Sequence, residues 1–200
     1  MMTSHTFSVL MSARWQVLPA MLLLSSLMMT GPLRSEEAGL WRMLAKSEVF
    51  AIMRHAIAPG TGDPAAFRLD DCATQRNLSE EGRAQARRAG ELFRQNGVTV
   101  AAVFSSQWCR CRETAELLKL GPVLDLVALN SFFGKYERRP HQTCDLKDWL
   151  GNLPDDRPHV LVTHQVNISA LLGRGARTGE IIFVRRTEDG GLQIEVSIIP

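Results

Sequence analysis

No large excess of charge of either sign runs through this 200-residue chain, whose formal net charge is +2. Of its 23 basic side chains, Arg14 and Arg34 precede residue 36 and no acid does, so residues 36–200 carry 21 of each sign. That balance leaves no basic footprint for nucleic acid. Nor is there an apolar run long enough to span a bilayer, which takes about 20 residues. The N-terminal run from Val17 to Met29 has thirteen residues, with Met21-Leu22-Leu23-Leu24 at its centre. No paired C-x2-C knuckle appears: Cys72, Cys109, Cys111 and Cys144 are separated by 36, 1 and 32 residues, which argues against a structural zinc site. No cysteine directly follows the apolar run, which argues against lipid attachment there. Internal repeats and low-complexity tracts are missing too.

What is present at the N-terminus suits a secretory signal: Arg14 as the positive flank, then an apolar core of the right length. Gly31, Pro32 and Ser35 are compatible with cleavage nearby, without a clear A-x-A site; an uncleaved anchor or a mis-assigned start are the rival readings. We expect residues 1–35 to be the signal segment and 36–200 one domain. The protein is then periplasmic or secreted, without stable membrane insertion after signal removal. Export and an even cysteine count predict disulfides. Cys109 and Cys111 are too close to bridge each other within a helix, so each must look to Cys72 or Cys144. At least one bridge from their helix to a flanking loop is expected.

The 45% hydrophobic and 22% charged content is ordinary for a globular domain. Leu40, Met43 and Leu44 recur at helical spacing in a lead-in helix over 36–47. Glu48 to Met53 reads as a buried strand, followed by a long loop from Ala56 to Asn77, rich in Gly, Pro and Asp. Ser79 caps a helix with Glu80 and Glu81 in its first turn, Ala86, Ala89 and Phe93 as its apolar stripe, and Asn96-Gly97 as its stop. A strand over 98–104 and a helix over 107–120 follow, the latter stopped by Gly121-Pro122. Further on come a strand over 123–129, an irregular segment over 130–145, a short helix over 146–153, a strand over 160–163 and a helix over 167–172. A closing hairpin over 180–186 and 191–199 turns at Asp189-Gly190. The alternation predicts an α/β fold: a three-layer α/β/α sandwich with a mostly parallel central sheet, mixed at its edge.

Arg54-His55 stands where the apolar strand stops, the position at which open α/β sheets place ligand crevices. A neutral imidazole can act as nucleophile, and a guanidinium can hold a phosphoryl group through two parallel hydrogen bonds. Two other stretches belong with it: Ser105-Ser106-Gln107-Trp108-Cys109-Arg110-Cys111-Arg112-Glu113-Thr114-Ala115, and the strand His159-Val160-Leu161-Val162-Thr163 ending in His164. Together with Met53-Arg54-His55-Ala56 they resemble the histidine phosphatase superfamily over roughly residues 48–172. Ala56 stands where the family usually has glycine, a departure associated with its small phosphohistidine-phosphatase-like branch. Asn130-Ser131-Phe132-Phe133 resembles exported proteins similar to the lipopolysaccharide-core heptose-phosphate phosphatase.

The resemblance implies His55 as nucleophile through a phosphohistidine, Arg54 and Arg110 gripping the phosphoryl oxygens, and a protonated His164 as a third donor. Arg76, in a run resembling the family's second helix entry, either leans toward the phosphate or makes a surface salt bridge. No metal and no cofactor are called for, since the cations neutralise the charge. The general acid is the weak point. Gln165 stands where the acid-phosphatase branch has Asp, and the mutase branch's Glu has only Glu137 or Asp145 as counterparts, with Glu137 the main candidate. The expected activity is a phosphohydrolase acting on a small phosphorylated molecule or phosphorylated glycan. The alternatives are a phosphoglycerate mutase-like phosphotransferase and a catalytically weak phosphate-binding module.

Overall fold

The computed structural model describes residues 32–154 and 156–200, with Met1 and Met2. The expected signal segment falls largely on residues 3–31 and so lies outside the described residues. Residues 31–200 form one compact unit. No helix among the described residues is long and apolar enough to cross a membrane.

Six strands build one sheet: β1 (Phe50–Arg54), β2 (Ala102–Ser105), β3 (Val123–Asp125), β4 (His159–Thr163), β5 (Ile181–Arg186) and β6 (Leu192–Ile198), in the spatial order β3-β2-β4-β1-β5-β6. β3, β2, β4 and β1 are parallel, and the β5–β6 hairpin adds antiparallel to β1. The sheet is therefore mixed at one edge, as the Asp189-Gly190 turn implied. Among the described residues five α-helices cover it: α1 (Pro32–Ala45), α2 (Glu80–Gln95), α3 (Cys109–Leu118), α4 (Arg139–Gly151) and α5 (Gln165–Leu172).

Strand periodicity of two decides which helices go on which face. Ala51, Met53, Val160 and Val162 point to one side and pack with Trp41 and Leu44 of α1, Ala89 and Phe93 of α2, and Ala115 and Leu118 of α3. Trp41 sits edge-on between Phe93 and Phe183, with centroids 5.1 and 4.8 Å away. Phe50, Ile52, Leu161 and Ile182 point to the other side and meet Leu146 and Leu150 of α4 and Ile168 and Leu171 of α5. The result is the expected three-layer sandwich.

Several boundaries differ from the sequence reading. α4 begins at Arg139, within the segment expected to be irregular. Its first two turns are exposed or half-buried on every side, so no apolar stripe announces them, and Pro140 reads as a breaker although proline suits a first helical turn. β3 stops at Asp125 rather than Leu129, because it is an edge strand held only by β2 and the chain then coils into a short 3-10 turn over Val127–Leu129. β2 starts at Ala102 rather than Val98, since Thr99 and Val100 are exposed before the chain enters the sheet.

Candidate active site

The carboxyl ends of β1 and β4 lie side by side. Arg54 is in register with Thr163, so His55 and His164, the next residues on each strand, become neighbours with ring centroids 5.5 Å apart. The backbone N–H of His55 donates to the Thr163 carbonyl at 3.0 Å, which pins the pair. β2 flanks β4 on the other side, and the turn after it starts α3, bringing in Arg110. The crevice thus opens where the chain leaves β1 for β2 and later returns to fill the gap between them with β4, a topological switch point.

His55 is 2% exposed. Its Nδ1 lies 2.8 Å from the Ala56 carbonyl, an acceptor only, so Nδ1 carries the proton and donates it there. Nε2 is left with its lone pair, as a nucleophile requires. Burial first, then the positive field of Arg110, Arg54 and Arg76, pushes the His55 pKa down to about 3. The ring is therefore neutral at any ordinary pH. The backbone behind it is anchored too: Ala56 N–H donates to Thr114 Oγ1 at 3.1 Å, and Thr114 donates to the Arg110 carbonyl at 2.6 Å. One hydroxyl so ties the His55 loop to the helix that presents Arg110. Ala56 itself is fully buried with Ala58, Leu78 and Ala86, which gives a methyl group in place of the family's glycine a packed setting. Just beyond, α2 comes so close that a Cβ on Gly82 would stand 2.0 Å from the Ile57 carbonyl oxygen.

Arg110 is 2% exposed and has a partner that the sequence did not disclose. Asp63, from the loop after β1, pairs with it through both oxygens, at 2.7 and 3.2 Å. The same carboxylate accepts from Trp108 Nε1 at 2.9 Å and from the Arg76 backbone N–H at 3.1 Å. Burial works to raise the Asp63 pKa, but the Arg110 guanidinium and the other donors outweigh it and hold it below the usual carboxylate range. In the sequence, Gly62-Asp63-Pro64 reads only as a loop signal. An ion pair across 47 residues leaves no local trace.

His164, 3% exposed, is likewise pushed well down by burial, Arg110 and its histidine neighbour. With the charges the protein itself supplies it is neutral. The expected protonated state therefore requires a dianion beside it. Its Nε2 is 2.8 Å from Ser106 Oγ, and that hydroxyl is 3.3 Å from Asn130 Oδ1. Arg110 approaches its other nitrogen at 3.4 Å. The consistent arrangement has Nε2–H donating to Ser106, Ser106 donating to Asn130, and Nδ1 facing the guanidinium. Ser106 and Asn130 belong to stretches that carry the resemblance, but the sequence assigns neither a role at the site. Beneath the ring Cys111 is a fully buried free thiol pushed up to about 12 by desolvation, hence an uncharged packing group.

Arg54 donates to the Ala176 carbonyl at 3.1 Å and approaches Gln165 Oε1 at 3.5 Å. Arg76 donates through Nε to the Gly62 carbonyl at 2.7 Å and through its terminal nitrogen to the Ala58 carbonyl. It lines the cleft and, among the described residues, makes no surface salt bridge. Two guanidinium nitrogens, Arg54 Nε and Arg110 Nε, are buried with no protein partner.

Glu137 is exposed on a 3-10 turn (Tyr136–Arg138) and is not among the residues that line the cleft, whereas its neighbours Tyr136 and Arg138 are. Asp145 pairs with His141 on the outside of α4. No group of three or more His, Cys, Asp or Glu side chains suited to a metal occurs among the described residues. Cys72 and Cys109 form the expected bridge from the start of α3 to the loop, with Cα atoms 5.7 Å apart, while Cys111 and Cys144 are free.

Comparison with known proteins agrees with this geometry. The model of the histidine phosphatase superfamily (branch 1) matches residues 51–153. The structure of the protein histidine phosphatase SixA complexed with tungstate is similar, with a TM-score of 0.56 and 20% identity over 76% of this chain and 97% of that one. The putative phosphohistidine phosphatase SixA from Agrobacterium tumefaciens aligns at 0.52 and 18% over 77% and 99%. Mycobacterial glucosyl-3-phosphoglycerate phosphatase aligns at 0.54 and 17% over 74% and 97%. No curated protein sequence matches significantly. Likeness at such identities speaks for the fold, whereas the family model reaches the sequence itself, over just more than half its length. The chain belongs to the histidine phosphatase superfamily.

Proposed function

We propose that this protein is an exported, metal-independent phosphohydrolase that works through a phosphohistidine on His55. The observation that carries the reading is the neutral His55 ring, its Nδ1 tied to a carbonyl and its Nε2 free, inside a cleft walled by Arg54, Arg76 and Arg110. Three guanidinium groups against the one Asp63 carboxylate leave a surplus of two positive charges, which matches a phosphate monoester dianion. In the first step the Nε2 lone pair forms the N–P bond while the P–O bond to the leaving group breaks and takes its electron pair away. Arg54 and Arg110 hold the equatorial oxygens, where charge accumulates. The dianion raises the proton affinity of His164, which then donates to it. In the second step water attacks phosphorus, the N–P bond breaks, and inorganic phosphate leaves with His55 restored. These residues supply positive charge without a metal.

Export rests on the N-terminal apolar run and gains support from the Cys72–Cys109 bridge, since such bridges persist in oxidising compartments. The substrate is a small phosphorylated molecule. Rapid quench of the enzyme with a 32P-labelled aryl phosphate should trap acid-labile, alkali-stable phosphate on His55. His55→Ala should abolish both label and turnover while keeping its circular dichroism spectrum. Label on another residue, or turnover surviving in His55→Ala, would overturn the mechanism.

A further inference from the structure

The cleft is far larger than a phosphate group needs, at about 630 Å3, a volume in the range that accommodates whole small molecules. The phosphoryl machinery occupies its floor. Its outer wall is the segment after Asn130, which contributes Phe133, Lys135, Tyr136 and Arg138, and Phe67 comes from the loop after β1.

Two features of that wall have no explanation within the protein. Phe133 and Tyr136, ring centroids 6.1 Å apart, are 50% and 57% exposed, although aromatic rings normally contribute by being covered. Lys135 and Arg138 are exposed and their side chains have neither ion pair nor hydrogen bond among the described residues. Every other cation of the cleft is engaged: Arg110 by Asp63, Arg54 and Arg76 by backbone carbonyls. After a phosphate dianion has balanced the floor, the wall still carries two positive charges.

The first loop also lines the cleft, and a Cβ on Gly62 would lie 3.5 Å from the Phe133 ring, so the two walls stand close together there. A concave cleft of this volume suits a compact ligand better than the flat surface of a protein.

We propose that the outer wall is a second anion subsite, and that the natural substrate is a small phosphate ester whose ring-bearing body lies on Phe133 and Tyr136 and whose second anionic group, a carboxylate or another phosphate, is held by Lys135 and Arg138. This deepens the reading above, since it assumes that the phosphate lies on the floor of the same cleft. The wall then sets substrate choice, while the floor supplies the chemistry.

The test uses matched pairs: 4-phosphooxyphenyl acetate, propanoate and butanoate as free acids, each with its neutral amide, so that the leaving phenol hardly changes and only the distal charge does. The wild-type enzyme should prefer at least one acid to its amide by about tenfold in kcat/KM at low salt, the effect of one partly screened charge-assisted contact. Added salt should erode the preference. Lys135→Gln/Arg138→Gln should bring the ratio near one, and Arg139→Gln, an exposed cation outside the cleft, should leave the ratio as it is. The same pairs as methylenephosphonates, titrated by calorimetry, give the ratio without turnover. Hydrolysis of both members at a ratio near one, unaffected by the double variant, overturns the subsite and leaves the phosphohydrolase reading standing. A tenfold ratio in binding with no hydrolysis of any ester does the reverse. A ratio near one in binding overturns the subsite whatever becomes of the activity.

Discussion

At the scale of single residues the chemistry turns on what can give a proton. With the charges the protein itself supplies, His55 and His164 are neutral by burial and by the guanidinium field, and the proton that a bound dianion brings to His164 is engaged with the phosphoryl oxygens rather than the leaving group. Among the described residues Asp63 is the one carboxylate in the cleft lining, and Arg110 keeps it ionised. Glu137 is exposed outside that lining. A departing alkoxide therefore finds no positioned acid, a contribution of about 10²–10⁴-fold where one exists. Simple alkyl phosphates should turn over slowly, and aryl phosphates, acyl phosphates and phosphohistidine faster. A series of aryl phosphates of graded phenol pKa should give a steep dependence of kcat/KM on leaving group. A flat series that Glu137→Gln turns steep would show instead that the loop swings Glu137 inward as the acid. That Arg54, His55, Arg110 and His164 meet in one cleft could be anticipated because each stands at a strand end or helix start beside a motif. Asp63 could not, because its partner is 47 residues away and its neighbours are ordinary turn formers.

At the scale of elements, the loop from Ala56 to Asn77 is fastened to α3 at several points. Cys72 bridges Cys109, Gln75 accepts from the Cys109 backbone at 3.0 Å, and Asp63 holds Arg110. The bridge fixes the loop that carries Asp63 and Arg76 one residue from the key arginine of the helix. Its ends are 37 residues apart. On the chain-entropy account that is worth about 4 kcal/mol, or roughly 8–16 °C in Tm for a domain of this size. Cys72→Ser/Cys109→Ser should lose that much in a thermal melt, and Cys144→Ser, exposed and unbridged, should lose nothing measurable. An unchanged Tm in the double variant would mean that Gln75 and Asp63 hold the loop without help. That the bridge would reach from the α3 start to a flanking loop was readable from cysteine spacing. That the partner is Cys72 and not Cys144 depends on where the chain folds back. The longer α4 escaped notice for the opposite reason: half of it buries no stripe, and only a stripe makes a helix visible in a sequence.

At the scale of the whole molecule, burying neutral histidines in a positive field links stability to pH. A buried base with a lowered pKa binds fewer protons folded than unfolded, so its contribution is complete above the unfolded value of about 6.5 and is lost as pH falls. For His55 the loss continues down to about 3. His164 and His159 shift in the same direction. Asp63, its pKa depressed by Arg110, adds its own loss only below the ordinary carboxylate value. The urea midpoint should therefore fall steeply from pH 6.5 to pH 4.5, where carboxylates alone would leave it nearly flat. A midpoint constant over that interval would mean that the histidines are already charged in the native state. This behaviour belongs to the assembled fold. By itself the sequence determined the order of strands and helices, the two faces of the sheet, the hairpin at its edge and the histidine and arginine at each strand or helix end, because alternation, helical spacing, caps and turn residues act over a few positions. Only the tertiary structure decided that Asp63 neutralises Arg110, that Ser106 and Asn130 fix the ring of His164, and that aromatic and basic side chains share one cleft with His55 and Arg110. Those contacts join residues that lie far apart along the chain, in loops without periodicity, and the sheet must bring their ends together before any of them can form.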